Sequence, residues 1–169
     1  MKTLYVMRHA KSSWADADLA DFDRPLNDRG LRDAPFMGTV MPENGYAPDV
    51  ILSSPAVRAK ETARRAIDGG DLDGELVFDD RIYEASPQTL RQVVSEFDDK
   101  NTSAMIVGHN PGVEGFIRFL TGTIEPMPTA ALAVIELNIE TWNNVAASSG
   151  KLVKIIRPKD ELKSLGTSS

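Results

Sequence analysis

The segment that most constrains the fold is "SAMIVGH", residues 103 to 109, whose central residues are all apolar. A strand that is apolar at every position must be covered on both faces, because successive side chains point to opposite sides of a sheet. Such strands lie at the centre of parallel sheets that carry helices on both sides. The segment therefore predicts a buried central strand in a layered α/β protein.

The rest of the chain alternates short β-type runs with longer amphipathic segments, which is the pattern of an α/β sandwich. Strands are predicted over residues 3–7, 50–53, 75–78, 104–107, 132–137 and 152–156. Helices are predicted where a capping side chain precedes an amphipathic segment, at Asn27, Ser54, Ser86 and Asn110. A proline follows the last three of these caps, at the favoured first helical position. Pro35 is expected to kink or delay the first helix.

The length of 169 residues fits one domain, predicted over residues 1–157 and followed by a polar, solvated tail at 158–169. The chain has no cysteine, which excludes disulfides and thiolate metal sites. No apolar stretch approaches the roughly 18 residues of a membrane span, and Arg8 interrupts the first apolar run too early for a signal peptide. A cytoplasmic protein without membrane association is expected. A net charge of −6 without a basic run argues against nucleic-acid binding.

Three of the predicted strands end in polar side chains where a loop or helix begins. The first runs into Arg8 and His9, the second into Ser54 with Arg58 one turn further on, and the fourth into His109. Ligands of open α/β sheets bind beyond the carboxyl ends of the strands, and helix N-termini at that edge attract phosphate. We therefore expect these side chains to surround one anion.

Both histidines of the chain belong to this group. A lone histidine is more often structural than functional, but two at equivalent strand ends, each near an arginine, favour a functional site. A zinc site is disfavoured because the arginines would repel the cation and no carboxylate motif accompanies the histidines. A phosphoryl group fits better, because it accepts several charge-assisted hydrogen bonds. A neutral imidazole, such as that of His9, can also attack it as a nucleophile.

Taken in order, Arg8-His9-Ala10, "SSPAVRAKET" and "VGHNPGV" resemble the histidine phosphatase superfamily, over the chain from the first strand to about residue 140. The alanine after His9 and the segment "DRPLNDRG" are most similar to the SixA-type phosphohistidine phosphatases. The resemblance implies a three-layer α/β/α sandwich of the phosphoglycerate mutase type with a mostly parallel central sheet. It also implies catalysis without a metal ion or other cofactor.

The resemblance assigns a role to each residue of the group. His9 is expected to be the nucleophile, which becomes transiently phosphorylated. Arg8, Arg58 and His109 are expected to hold the transferred phosphoryl group and to stabilise its equatorial oxygens.

Two further residues match the family, each with an ordinary alternative. Arg24 matches an arginine of the SixA-type phosphate pocket, but a surface salt bridge with Asp21 or Asp23 explains it equally well. Glu84 is the best match to the acid that protonates the leaving oxygen in larger members, and its alternative is a plain surface carboxylate. The sequence leaves open whether three residues close to His9 contact substrate: Lys11, Ser12 and Trp14.

The leading hypothesis is a phosphatase that forms a phosphohistidine intermediate and acts on a phosphohistidine-bearing protein domain in signal transduction. A protein substrate is favoured because no insertion long enough to cap the site is visible in the sequence. One alternative is a small-molecule phosphomonoesterase that acts on a sugar or nucleotide phosphate. Another is a non-catalytic phosphate-binding module, although such a module would not require a positioned nucleophile.

Overall fold

A computed structural model describes residues 1–165 and shows them as six strands and five α-helices. The strands are β1 (Lys2–Arg8), β2 (Val50–Ser53), β3 (Glu75–Phe78), β4 (Ser103–Gly108), β5 (Leu132–Leu137) and β6 (Gly150–Ile156). They form one sheet in the order β3-β2-β4-β1-β5-β6, in which β5 runs opposite to the other five strands. All six predicted strands are present, so the prediction of a mostly parallel sheet is confirmed.

The helices are α1 (Asp28–Glu43), α2 (Val57–Gly70), α3 (Pro87–Ser95), α4 (Gly112–Thr121) and α5 (Pro158–Ser164). Short 3-10 turns occur at Asp21–Asp23, Asp80–Ile82 and Trp142–Asn144. Within residues 1–165, no helix has both the length and the apolar character needed to cross a membrane.

The core lies in two layers, one on each face of the sheet. In β1, Leu4 and Val6 pack on the side of α3 and α4, while Tyr5 and Met7 pack on the side of α1 and α2. Every residue of β4 is buried, as its uninterrupted apolar sequence predicts. The three-layer α/β/α architecture is therefore confirmed.

Two of the four predicted helix starts are confirmed. Asn27 caps α1 by accepting a hydrogen bond from the Gly30 N–H, and Ser86 caps α3 by accepting one from the Thr89 N–H. Pro35 lies inside α1 without delaying its start, because the helix already begins at Asp28.

The other two helices begin later than predicted, α2 at Val57 and α4 at Gly112. The Asn110 side chain still accepts from the Glu114 N–H in the first turn of α4, whereas no side chain in the described part of the chain caps α2. Each predicted cap also makes a further contact. The Ser54 hydroxyl lies within hydrogen-bond distance of His109, and the Asn110 side-chain amide donates to the Met127 carbonyl. Both predicted caps lie at the carboxyl edge of the sheet, where the candidate site is found.

The first part of the segment predicted as a polar tail is helical. Residues 158–164 form α5, which contacts α1, and Pro158 at its start is buried. A proline at the first helical position followed by Asp160 and Glu161 in the first turn is a favourable helix start. The remainder of the predicted tail, residues 166–169, lies outside the described residues.

Helices α1 and α2 pack with their backbones in close contact. A Cβ atom on Gly38 of α1 would collide with the carbonyl oxygen of Ala66, and one on Gly69 of α2 would collide with that of Pro35. Backbone atoms cannot move aside as a flexible side chain can. Glycine at these positions therefore sets the spacing of the two helices on this face of the sheet.

We predict that Gly38→Ala lowers the free energy of unfolding by about 1–3 kcal/mol, because the added methyl overpacks the interface. The loss is expected even though helices intrinsically prefer alanine to glycine by about 1 kcal/mol, a preference that acts in the opposite direction. Denaturant unfolding measures the change. Glu43→Ala, an exposed substitution in the same helix, serves as the control. A Gly38→Ala protein as stable as the wild type would contradict the close packing.

Candidate active site

The site is assembled by three adjacent parallel strands that end at the same edge of the sheet. β1 pairs with β4 so that Arg8 lies opposite Gly108, and β2 pairs with β4 so that Ser53 lies opposite Val107. Beyond the strands, the His9 N–H donates to the Gly108 carbonyl at 3.0 Å. This register brings the rings of His9 and His109 to a centroid separation of 5.1 Å.

The ring of His9 is buried and held in one tautomer. Its Nδ1 lies 2.7 Å from the carbonyl oxygen of Ala10, which can only accept, so Nδ1 carries the proton. Burial is the main cause that lowers the pKa of His9 to about 3, and His109, Arg58 and Arg8 lower it further. At neutral pH the ring is therefore uncharged, and Nε2 keeps its lone pair.

His109 is also uncharged at neutral pH. Burial, followed by the positive charge of Arg58, lowers the pKa of His109 to about 4. Its Nε2 lies 2.8 Å from the Ser54 hydroxyl, which fixes the plane of the ring. The edge of the ring meets Tyr83 at a centroid distance of 5.5 Å.

Arg8 and Arg58 supply the positive charge of the site. Arg8 donates to the Met127 carbonyl through Nη1, and Arg58 donates to Asp21 through both terminal nitrogens. Within residues 1–165, three buried nitrogens have no hydrogen-bond partner: Arg8 Nε, Arg58 Nε and His109 Nδ1. Unpaired buried polar atoms are costly and call for an explanation. Donors of this kind suit a bound oxyanion, which accepts several hydrogen bonds.

A cavity of about 740 Å³ opens beside two of these residues. Arg58 and His109 line it, together with the carboxylates of Asp21 and Glu84. Glu84 is exposed and lies on the loop between β3 and α3, as expected from the sequence, with a left-handed backbone (φ 55°). The structure thus brings Glu84 to the same cavity as His109.

Arg24 is connected to the cavity through Asp21. Its Nε donates to Asp21 at 3.3 Å, so the salt bridge considered as the alternative does form. This is not an ordinary surface pair, because Arg24 is only 7% exposed and Trp14 stacks over its guanidinium at 3.5 Å. Asp21 also binds Arg58, which links Arg24 to the cavity.

Two other residues near His9 have structural contacts. Ser12 is buried and forms an isolated β-bridge with Leu26. The Lys11 carbonyl accepts from the Asn27 N–H at the start of α1. These contacts fasten the segment after β1 to the first helix.

Sequence reasoning missed two side chains that contact the predicted ones, Asp21 and Tyr83, and it did not predict the contact of Ser54 with His109. Asp21 was considered only as a partner for Arg24. Tyr83 precedes Glu84, and its hydroxyl donates to Asp21 at 2.7 Å. No local pattern marks such residues, because their partners are distant in sequence. Among residues 1–165, no group of three or more His, Asp or Glu side chains is arranged to hold a metal ion.

Comparison with known proteins decides the family. Residues 4–92 match the model of the histidine phosphatase superfamily (branch 1). An uncharacterized protein of Mycobacterium tuberculosis is 31% identical over 164 residues, which cover 90% of this chain and all of that protein. The chain belongs to the histidine phosphatase superfamily. It is accordingly a phosphatase, as the sequence resemblance implied.

Two solved structures of this superfamily share the whole fold. One is a candidate SixA phosphohistidine phosphatase from Agrobacterium tumefaciens, with a TM-score of 0.80 and 28% identity over 93% of this chain and 98% of that one. Another is the protein histidine phosphatase SixA in complex with tungstate, with a TM-score of 0.77 and 20% identity over 94% of this chain and 99% of that one. The histidine phosphatase fold therefore extends over nearly the entire chain.

We predict that neither histidine ring becomes protonated between pH 5 and pH 8, the range in which an ordinary imidazole titrates. Both pKa values lie below this range, at about 3 and about 4, because burial disfavours the charged ring. Nitrogen-15 NMR of a protein without a histidine tag measures this directly, since the chain has only two histidines. His109→Ala and His9→Ala assign the two sets of signals. A ring that titrates near pH 6.5 would contradict its burial.

Proposed function

We propose that the protein hydrolyses phosphohistidine on a protein partner, through a covalent phosphoryl intermediate on His9. The observation that carries the proposal is the state of His9: a buried, neutral ring whose Nδ1 is bonded to Ala10 and whose Nε2 is free to attack. Three unpaired donors accompany it. A module that only bound phosphate would need the donors but not the nucleophile.

In the first step, Nε2 of His9 attacks phosphorus while the bond from phosphorus to the substrate nitrogen breaks. Protonation of the other ring nitrogen of the substrate by solvent allows the leaving group to depart as neutral imidazole. The positive charge that develops on the ring of His9 is stabilised by the hydrogen bond from Nδ1–H to Ala10. Arg8, Arg58 and His109 would donate to the equatorial oxygens of the phosphoryl group.

In the second step, water attacks the phosphorus and the bond to His9 Nε2 breaks. The electron pair returns to Nε2, the attacking water releases its proton to solvent, and inorganic phosphate leaves the site. His109 would take part as a donor through Nδ1–H, with the Ser54 hydroxyl donating to its Nε2. The low pKa of His109, about 4, keeps its ring neutral in the free protein at neutral pH.

The surroundings of the cavity favour a protein substrate. Three exposed apolar side chains border the residues of the site or of its cavity. Trp14 (72% exposed) stacks on Arg24, and Phe22 (37%) packs edge-on against Tyr83. Ile124 (73%) shares a groove with Pro111, which also lines the cavity. Apolar side chains around a phosphate site suit the surface of a protein better than a sugar or nucleotide. The similarity to the SixA structures points the same way.

A small-molecule phosphomonoesterase is the second candidate, and Glu84 is the observation that favours it. An ester leaves as an alkoxide and needs a proton, and Glu84 lies on the cavity wall where it could supply one. An imidazole leaving group has no such need. The contribution of Glu84 therefore separates the two substrate classes.

We predict that the wild-type protein becomes labelled when incubated with a phosphorus-32 donor, and that His9→Ala neither labels nor turns over. The label should be labile to acid and stable to alkali, as expected of a phosphoramidate. His109→Ala should still label, but more slowly, because it removes a donor and leaves the nucleophile. A wild type that never labels, or a His9→Ala protein with full activity, would end the covalent proposal.

We predict a higher kcat/KM for a carrier protein phosphorylated on histidine than for aryl and sugar phosphates. Glu84→Gln should lower kcat for the alkyl esters by about 10²-fold or more, the usual contribution of a general acid, and change the phosphohistidine rate little. Glu43→Gln, an exposed substitution in α1, is the control. A higher kcat/KM for small esters, together with a large loss on those esters in Glu84→Gln, would favour the monoesterase.

A further inference from the structure

Asp21 is the most connected side chain at the mouth of the site. Its Oδ2 accepts from Arg58 Nη2 at 3.0 Å and from the Tyr83 hydroxyl at 2.7 Å, and its Oδ1 accepts from Arg24 Nε at 3.3 Å. Its main-chain carbonyl accepts from Arg58 Nη1 at 2.7 Å. One residue therefore binds both terminal nitrogens of Arg58.

This arrangement fixes which edge of Arg58 is available to a substrate. A guanidinium offers its donors along flat edges, and a residue that binds both terminal nitrogens restrains the whole plane. Asp21 occupies the two terminal nitrogens, while Nε remains buried and without a partner among residues 1–165. The unpaired donor is thus oriented before any anion arrives.

Tyr83 connects this contact to His109. Its hydroxyl donates to Asp21, and its ring meets His109 edge-on at 5.5 Å and Phe22 at 5.1 Å. The hydrogen bond from Tyr83 is the largest cause that lowers the pKa of Asp21 to about 2, so the carboxylate is ionised at any physiological pH. The same bond raises the pKa of Tyr83 to about 12, which keeps the hydroxyl protonated as a donor.

The charge of Asp21 also makes the arginine cluster tolerable in the free enzyme. Arg24 and Arg58 are both more than nine-tenths buried, and both share this one carboxylate. Without it, both buried cations would lose the carboxylate that each pairs with, which is strongly unfavourable.

We propose that Asp21 and Tyr83 form a positioning pair that holds Arg58 and His109 in the geometry that receives the phosphoryl group. The inference rests on the proposed roles of Arg58 and His9. The competing possibility is that the Asp21 carboxylate occupies the anion position and must be displaced by substrate. The two possibilities predict opposite changes in the affinity of the site for an anion. Removing a positioning group weakens anion binding, whereas removing a competing carboxylate strengthens it.

The test measures the binding of tungstate, an anion that a SixA structure contains, by calorimetry with Asp21→Asn and Tyr83→Phe. We expect Asp21→Asn to weaken tungstate binding and to lower kcat/KM, each by about 10-fold or more, because an oriented donor of this type is worth about 10²–10³ in rate. Tyr83→Phe should produce a smaller loss in the same direction and should move the NMR signals of the His109 ring more than those of His9.

Two matched controls should bind tungstate as the wild type does. One is Asp23→Asn, in the same 3-10 turn as Asp21. The other is Tyr46→Phe, because Tyr46 packs on Tyr5 away from the site. The proposal would be overturned by an Asp21→Asn or Tyr83→Phe protein that has the same melting temperature as its control variant and binds tungstate as tightly as the wild type, or more tightly. Because tungstate binding requires no turnover, this outcome is separate from a failure of the His9 mechanism, which would instead show as an active His9→Ala protein.

Discussion

The parallel register of β1, β2 and β4 is the constraint on which the site depends. The three strands end level with one another, and the residues that follow them continue the ladder, since the His9 N–H bonds Gly108 and the Ser54 N–H bonds Val107. A shift of one residue between β1 and β4 would move His109 by about 3.3 Å and turn the side chains of a whole strand to the other face. The alternating burial of β1 prevents this, because Leu4 and Val6 fit one core layer and Tyr5 and Met7 the other.

Electrostatics explain how a protein with a net charge of −6 can receive an anion. Burial keeps both histidine rings neutral, so the positive charge comes from arginines, which stay protonated wherever they are placed. The neutral state of His9 is required for attack, and the neutral state of His109 relieves repulsion from Arg58. Long-range repulsion by surface carboxylates is screened over about 10 Å, whereas the donors of the site act at hydrogen-bond distance.

Sequence reasoning predicted the sheet and the group of side chains at its edge because both follow from local patterns. Apolar runs mark the strands, and a strand end marks the edge, so the convergence of Arg8, His9 and His109 could be predicted without knowledge of the helices. Asp21 and Tyr83 could not be predicted, because they are 62 residues apart and meet through a contact that no spacing encodes. The first turn of α5 was overlooked because its polar composition resembles that of a tail.

The starts of α2 and α4 carry information about the site. Ser86 lines the cavity and still caps α3, and Asn110 still accepts from the Glu114 N–H in the first turn of α4. Only α2 lacks a side-chain cap among these three helices, and its predicted cap, Ser54, binds His109. A capping bond is worth about 1 kcal/mol, so its loss in α2 needs a compensating use. The contact of Ser54 with His109 supplies one, because it orients a ring of the phosphate site. The local capping rule thus fails at the one helix start whose predicted cap contacts a site histidine.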